Sequence, residues 1–121
     1  MDLSSLAVSE TAVLNLKHPV TSEDLGCSIE LCGKDSDVYR KQYTDQVKAL
    51  TEAQVNGSDI DYAELDIVVY TACTVAWTDI ELEGKALECT PENVRLVYSD
   101  QRFKWLHEQV TRFVGNRENF M

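Results

Sequence analysis

The stretch TAVLNLK, residues 11–17, alternates in character and predicts the first element of the fold. Ala12, Leu14 and Leu16 fall on one side and the intervening residues on the other, which is the period of a half-buried strand. A second alternating run, Cys27–Cys32, follows the turn-like sequence TSEDLG. The two runs together predict an antiparallel hairpin.

The segment after this hairpin carries a helix signal. Asp35 or Ser36 can cap a helix that runs to about Ala53. Apolar residues at helical spacing form one narrow stripe on it, which consists of Tyr39, Tyr43, Val47 and Leu50. The other faces are rich in charged residues, and their spacing of four suits weak exposed ion pairs. We expect this helix to lie on the surface of the protein.

The segment Asp61–Thr78 contains no glycine or proline and is more ambiguous. Wound as a helix, it presents a wide apolar face made of Tyr62, Leu65, Val68, Val69, Ala72, Cys73 and Ala76. This pattern predicts a central buried helix. The inner run IVVYTACTVAW, residues 67–77, is rich in β-branched and aromatic residues, so a strand remains an alternative there.

The C-terminal third predicts a short extended excursion and two helices. Residues 79–87 alternate and reverse direction at Gly84. Thr90 then precedes a proline and a glutamate, a combination that begins a helix, here expected to end near Tyr98. A last helix is expected from about Asp100 to Val114, before the stop signal at Gly115. Its apolar stripe is made of Phe103, Leu106, Val110, Phe113 and Val114.

These elements indicate an α+β fold that is mainly α. We expect an N-terminal β-hairpin followed by three or four packed helices, with the short extended excursion near 79–87. A chain of 121 residues has the size of one ordinary domain, so residues 1–121 are expected to form a single unit.

The charge of the chain bears on its partners. It carries 21 acidic and 11 basic residues, a formal net charge of -10. Such a field repels phosphate backbones and anionic lipids, so we expect no nucleic acid and no membrane among the partners. No run approaches the roughly 20 apolar residues of a membrane span, and the N-terminal sequence has no signal-peptide pattern. A cytosolic protein that binds other proteins is expected.

The residues that usually carry chemistry do not form a recognisable site. His18 and His107 stand apart from other potential ligands, and His107 borders the apolar stripe of the last helix, as a structural histidine would. No nucleophile elbow, phosphate-binding glycine loop or metal-binding pattern occurs. The four cysteines lack paired spacing and are expected to be free thiols. The sequence therefore predicts neither an enzyme nor a cofactor.

Two places are candidates for protein binding. On a helical wheel, Trp105 falls among polar residues and away from the apolar stripe of the last helix, and Arg112 lies on the same polar side. Tryptophan and arginine dominate the hot spots of interfaces. The alternative is that Trp105 covers another element of its own chain. Tyr39 and Tyr43, on the stripe of the first helix, form the second candidate.

Three segments carry a resemblance to a known family. SETAVLNLKHPVT, GKDSDVYR and NRENF, matched over Glu10 to Thr21, Gly33 to Arg40 and Asn116 to Phe120, resemble the tail assembly chaperones of long-tailed bacteriophages. The resemblance implies a protein that binds the tape measure protein, keeps this long helical protein soluble and recruits tail tube subunits around it. It also implies self-association into rings or spirals, residence in the host cytoplasm and absence from the mature virion.

Two other functions are compatible with the sequence. An acidic phage inhibitor that mimics DNA would use the same net charge, but its acids should lie in regular rows, whereas here basic residues are mixed among them. A minor structural protein of the tail would instead remain in the particle.

Overall fold

The computed structural model describes residues 1–121 and confirms the α+β, mainly α architecture. The strands are β1 (Thr11–Lys17), β2 (Asp24–Cys32), β3 (Thr74–Thr78), β4 (Glu81–Leu82) and β5 (Lys85–Ala86). The helices are α1 (Asp37–Asn56), α2 (Tyr62–Cys73), α3 (Pro91–Ser99) and α4 (Lys104–Val114). Short 3-10 segments occur at Leu3–Leu6, Gln101–Phe103 and Arg117–Phe120.

The main sheet has three antiparallel strands in the order β1-β2-β3. The predicted hairpin is confirmed, with β1 on the bounds expected from its alternation. In the central strand, Ile29 lies opposite Leu14 on β1 and opposite Trp77 on β3. Ile29 and Leu31 are completely buried and belong to the core cluster that also contains residues of α3 and α4. The helices therefore cover the inner face of this sheet.

Two predicted helix starts are confirmed by their caps. The Ser36 hydroxyl accepts a hydrogen bond from the Tyr39 amide at 3.1 Å, which begins α1. The Thr90 hydroxyl accepts from the Asn93 amide at 3.2 Å, and Pro91 occupies the first turn of α3. Local sequence signals fix both positions because each cap involves neighbouring residues only.

The prediction of one helix over Asp61–Thr78 is wrong for its last third. Helix α2 ends at Cys73, and the next five residues form β3 along the open edge of β2. The Thr74 hydroxyl bonds to the carbonyl of Tyr70 and to the Tyr98 hydroxyl, which fixes the change of direction. The strand alternative was correct here because β-branched and aromatic residues gain pairing partners on β2.

Helix α2 is also less buried than the predicted central helix. Only Val69, Tyr70 and Cys73 are buried, while Tyr62 is 65% exposed. The surface position of α1 is confirmed, since none of its 20 residues is buried. Its apolar stripe, however, is only half covered. Both helices therefore leave apolar surface open.

The excursion near 79–87 is confirmed as the hairpin of β4 and β5. Glu83 and Gly84 at its turn have φ angles of 54° and 78°, the left-handed pair that a tight hairpin turn requires. The last helix is preceded by a 3-10 turn, so α4 itself begins at Lys104. Its stripe packs as expected, with Leu106, Val110 and Val114 buried.

The three segments that carry the family resemblance meet in space. The Gly33 amide donates to the carbonyl of Glu10 at 3.1 Å, and the Phe120 ring lies 3.0 Å from the position that a Cβ on Gly33 would occupy. Arg117 forms a two-bond ion pair with Asp35 at 2.6 and 2.9 Å. A side chain at Gly33 would push the Phe120 ring aside, so the close contact of Gly33 with this ring helps to close the C-terminus onto the hairpin.

The ring of His107 packs inside the core rather than forming a site. It lies 5.6 Å from the ring of Tyr70 and 5.4 Å from that of Tyr98, and its buried Nε2 has no hydrogen-bond partner. Burial lowers the pKa of His107, and the Asp66 and Glu108 carboxylates oppose this shift. The structural role is as expected, but the ring is not satisfied by hydrogen bonds.

Ile29→Ala should lower the free energy of unfolding by about 2–5 kcal/mol, because it removes a fully buried side chain from the central strand. Chemical denaturation monitored by circular dichroism measures this loss. Val55→Ala, at a side chain that is 80% exposed, is the control and should stay within about 0.5 kcal/mol of the original chain. Equal effects of the two substitutions would contradict the assigned core.

Stability should fall as the pH falls through 6.5, in part because of His107. Its pKa in the folded state lies below the unfolded value of 6.5, so the unfolded chain takes up the proton first. His107→Phe should therefore show a smaller drop in melting temperature between pH 7.5 and pH 5.5 than the original chain. An unchanged drop would show that His107 is not responsible.

Candidate protein-binding surface

A polar groove of about 560 Å³ separates the end of β1 from α4. We call it the β1–α4 groove, and its walls include Asn15, Lys17, His18, Trp105, Gln109 and Arg112. The Gln109 side chain ties the walls together, since it accepts from the Lys17 amide at 3.0 Å and donates to the Lys17 carbonyl at 2.8 Å. These two hydrogen bonds fix the end of β1 against α4 beside the groove.

The helical wheel placed Trp105 on the polar side of α4, but in the structure this side chain contacts the core. It is half-buried, packs against the main core cluster and separates the β1–α4 groove from an apolar cavity of about 290 Å³ under β4. Ile80 and Leu82 from the β4–β5 excursion line that cavity with it. The alternative, that Trp105 covers another part of its own chain, describes its position. Its role as a binding anchor stays a prediction.

Arg112 lies on the wall of the same groove. It is exposed and takes part in none of the four salt bridges of the chain. Glu108, one turn earlier on α4, also lines the groove but is not within salt-bridge distance of Arg112. The structure therefore brings Trp105 and Arg112 together and leaves the guanidinium available.

Tyr39 and Tyr43 lie at a different place. They line a shallow depression of about 310 Å³ with Lys34, Asp35 and Arg40, which shares no residue with the β1–α4 groove. Tyr39 is half-buried against the core, whereas Tyr43 is 57% exposed. The four predicted site residues thus form two separate candidate surfaces.

The apolar stripe of α1 is the longer of these surfaces. We keep the name α1 stripe for Tyr39, Tyr43, Val47 and Leu50, which follow one line along about 17 Å of helix at 1.5 Å per residue. Tyr39 and Leu50 are half-buried, while Val47 is 45% exposed. The helix carries three acids and three bases, so it has no net charge in a strongly acidic chain. Its exposed apolar line suits another amphipathic helix.

The whole surface is large for the size of the chain. The accessible area is 8058 Å², and only 16 of the 121 residues are buried. A folded monomer of this mass is expected to expose about 6,600 Å², so this chain exposes about a fifth more. The excess of about 1,500 Å² is roughly twice the 800 Å² or so that each partner contributes to a specific interface of standard size.

Cysteine chemistry does not add a site. All four cysteines are free, and burial raises the pKa of Cys73 to about 12, which keeps it a neutral thiol. No group of three or more histidine, cysteine or acidic side chains could hold a metal ion. None of the helices combines enough length and apolar character to cross a membrane.

No family model, curated protein or solved structure matches this chain.

Trp105→Ala should lower the free energy of unfolding by about 2 kcal/mol, because the indole covers the core and the cavity beneath β4. Thermal melting of purified variants measures this effect. Arg112→Ala is the control, because its side chain is exposed and has no salt-bridge partner. It should change the free energy of unfolding by less than about 0.5 kcal/mol. A Trp105 variant as stable as the Arg112 variant would restore the view of Trp105 as a purely external anchor.

Proposed function

We propose that this chain is a tail assembly chaperone of a long-tailed bacteriophage. It binds the tape measure protein in the host cytoplasm, keeps that protein soluble and helps to recruit tail tube subunits, without catalysis and without remaining in the mature virion. The family resemblance of three segments suggests this role. The half-covered α1 stripe is the structural observation on which the proposal rests.

The stripe suits the chemistry of such a partner. A long helical protein whose apolar face is not yet covered by its tube aggregates unless another apolar surface shields it. An amphipathic helix can lie along another helix when each presents an apolar line with residues three or four apart. Tyr43 and Val47 provide this line at the surface of α1. The stripe covers a partner helix for about three turns.

The large exposed area favours self-association as well. A chain that leaves apolar residues open on both α1 and α2 can bury them against further copies of itself. Contacts that join two different patches produce rings when they close and spirals when they do not. Several subunits arranged in this way would follow the length of an extended partner.

Burial explains the strongest pKa shifts and gives no reason to assign catalysis. Burial raises the pKa of Tyr98 and of Cys73, and both side chains lie in the core rather than in the β1–α4 groove. Shifts of this kind accompany packing as readily as they accompany catalysis. Packing in the core is the simpler account of these groups.

The stripe can be tested with a substitution that leaves the core intact. Tyr43→Asp should weaken the binding of a helical tape measure fragment at least tenfold, since it places a charge at the centre of the apolar line. Co-expression followed by measurement of soluble fragment, and titration calorimetry of the purified pair, give the two readouts.

The matched control is Val55→Asp, because it adds the same charge to the same helix away from the stripe, at a residue that is 80% exposed. It should leave both readouts unchanged. Equal binding by the two variants would remove the stripe from the proposal. Detection of the chain in purified virions by mass spectrometry would contradict the chaperone role and favour a structural tail protein.

A further inference from the structure

The outer edge of β1 is closed at its two ends only. At the first end, the Ser9 amide donates to the Phe120 carbonyl at 2.7 Å. At the other end, the Gln109 side chain bonds to both the amide and the carbonyl of Lys17, as a neighbouring strand would. The sheet order β1-β2-β3 places no strand on this side of β1.

The middle of this edge is open. Backbone groups of an antiparallel strand point alternately toward one neighbour and toward the other. The Glu10 carbonyl accepts from Gly33 on the β2 side, whereas Ser9 and Lys17 bond outward, so even residues face β2 and odd residues face out. The outward residues between the two closed ends are Thr11, Val13 and Asn15. Their backbone groups take part in no hydrogen bond outside the sheet.

The β1–α4 groove begins at the Asn15 end of this open edge and differs from the rest of the surface in charge. Lys17 and Arg112 line it with a single carboxylate, Glu108. The Lys17 ammonium already pairs with the Asp24 carboxylate at 3.3 Å, so the Arg112 guanidinium is the unpaired positive charge of the groove. Over the whole chain the acids outnumber the bases by 21 to 11. Side-chain amides from Asn15 and Asn119 add further donors and acceptors to the walls. The groove is therefore suited to acidic side chains next to a polar backbone.

We propose that the β1 edge and the β1–α4 groove bind an extended, acidic peptide segment of another protein, which adds to β1 as a fourth strand. The backbone of that peptide pairs with Thr11, Val13 and Asn15, and a carboxylate of the peptide faces the unpaired guanidinium of Arg112. The open stretch is about 14 Å long at 3.4 Å per residue, which accommodates about five residues. This site shares no residue with the α1 stripe and does not depend on the chaperone function.

The test uses the full chain labelled with ¹⁵N and an acetylated, amidated five-residue peptide that alternates glutamate with valine, which matches the length of the open stretch. The amide resonances of Thr11, Val13 and Asn15 should shift on titration and become protected from hydrogen exchange. A matched peptide with lysine in place of glutamate should bind at least tenfold more weakly. Added salt should also weaken the binding of the acidic peptide, because salt screens interactions between exposed charges.

Two substitutions separate the backbone contribution from the charge. Val13→Pro removes one outward amide at an edge where no β1–β2 hydrogen bond is lost, and it should reduce affinity at least tenfold. Arg112→Glu should also reduce affinity at least tenfold, because it replaces the positive charge with a negative one. Lys48→Glu on α1 is the control and should bind the peptide as the original chain does. If Val13→Pro disturbs the fold, a peptide methylated on alternate amide nitrogens tests the same contact.

Three results would overturn the proposal. The first is equal binding of the acidic and lysine peptides. The second is peptide binding that survives both Val13→Pro and Arg112→Glu. The third is protection of the Val13 amide without peptide in a dimer detected by sedimentation, since the occupant of the edge would then be a second copy of this chain.

Discussion

The rest of the structure depends on the burial of one face of β2. Ile29 and Leu31 have no exposed surface, and they lie between β1 on one side and β3 on the other. A slip of one residue in this strand would turn both side chains to the opposite face, so the register of all three strands follows from them. Val110 and Val114 of α4 belong to the same core cluster, and their burial fixes where the last helix lies. The position of the β1–α4 groove follows in turn.

Local signals predicted the elements whose partners are near in sequence. The hairpin of β1 and β2, the caps at Ser36 and Thr90, and the excursion over residues 79–87 all depend on neighbouring residues, and all were predicted. Only the start of β2 differs, since the strand begins at Asp24 rather than at the predicted Cys27. The end of α2 was not predicted, because Thr74 leaves the helix to pair with Leu31, which lies 43 positions earlier. A short segment of sequence around Thr74 does not include Leu31, so local patterns could not reveal this pairing. The intrinsic preferences of the residues themselves were compatible with either a helix or a strand.

The candidate site shows the same limit. A helical wheel compares Trp105 only with residues of its own helix, so it could not include the β4–β5 excursion that covers one side of the indole. The α1 stripe was found by spacing, but its half-covered state depends on where α2 packs. The open edge of β1 had no sequence signal of its own. It becomes visible only once Gln109 is seen to occupy one end of that edge.

The family resemblance overlaps with the β1 edge but hardly with the α1 stripe. Gly33, Asp35, Arg117 and Phe120 belong to the matched segments, and each has a structural task where the C-terminus closes on the hairpin. Such residues can be shared by proteins that have the same junction, whatever they bind. Most of the α1 stripe lies beyond the matched segments, since only Tyr39 falls within them. The resemblance therefore bears on the scaffold and on the β1 edge, because Thr11, Val13 and Asn15 lie in the first matched segment, whereas the α1 stripe can vary without disturbing either.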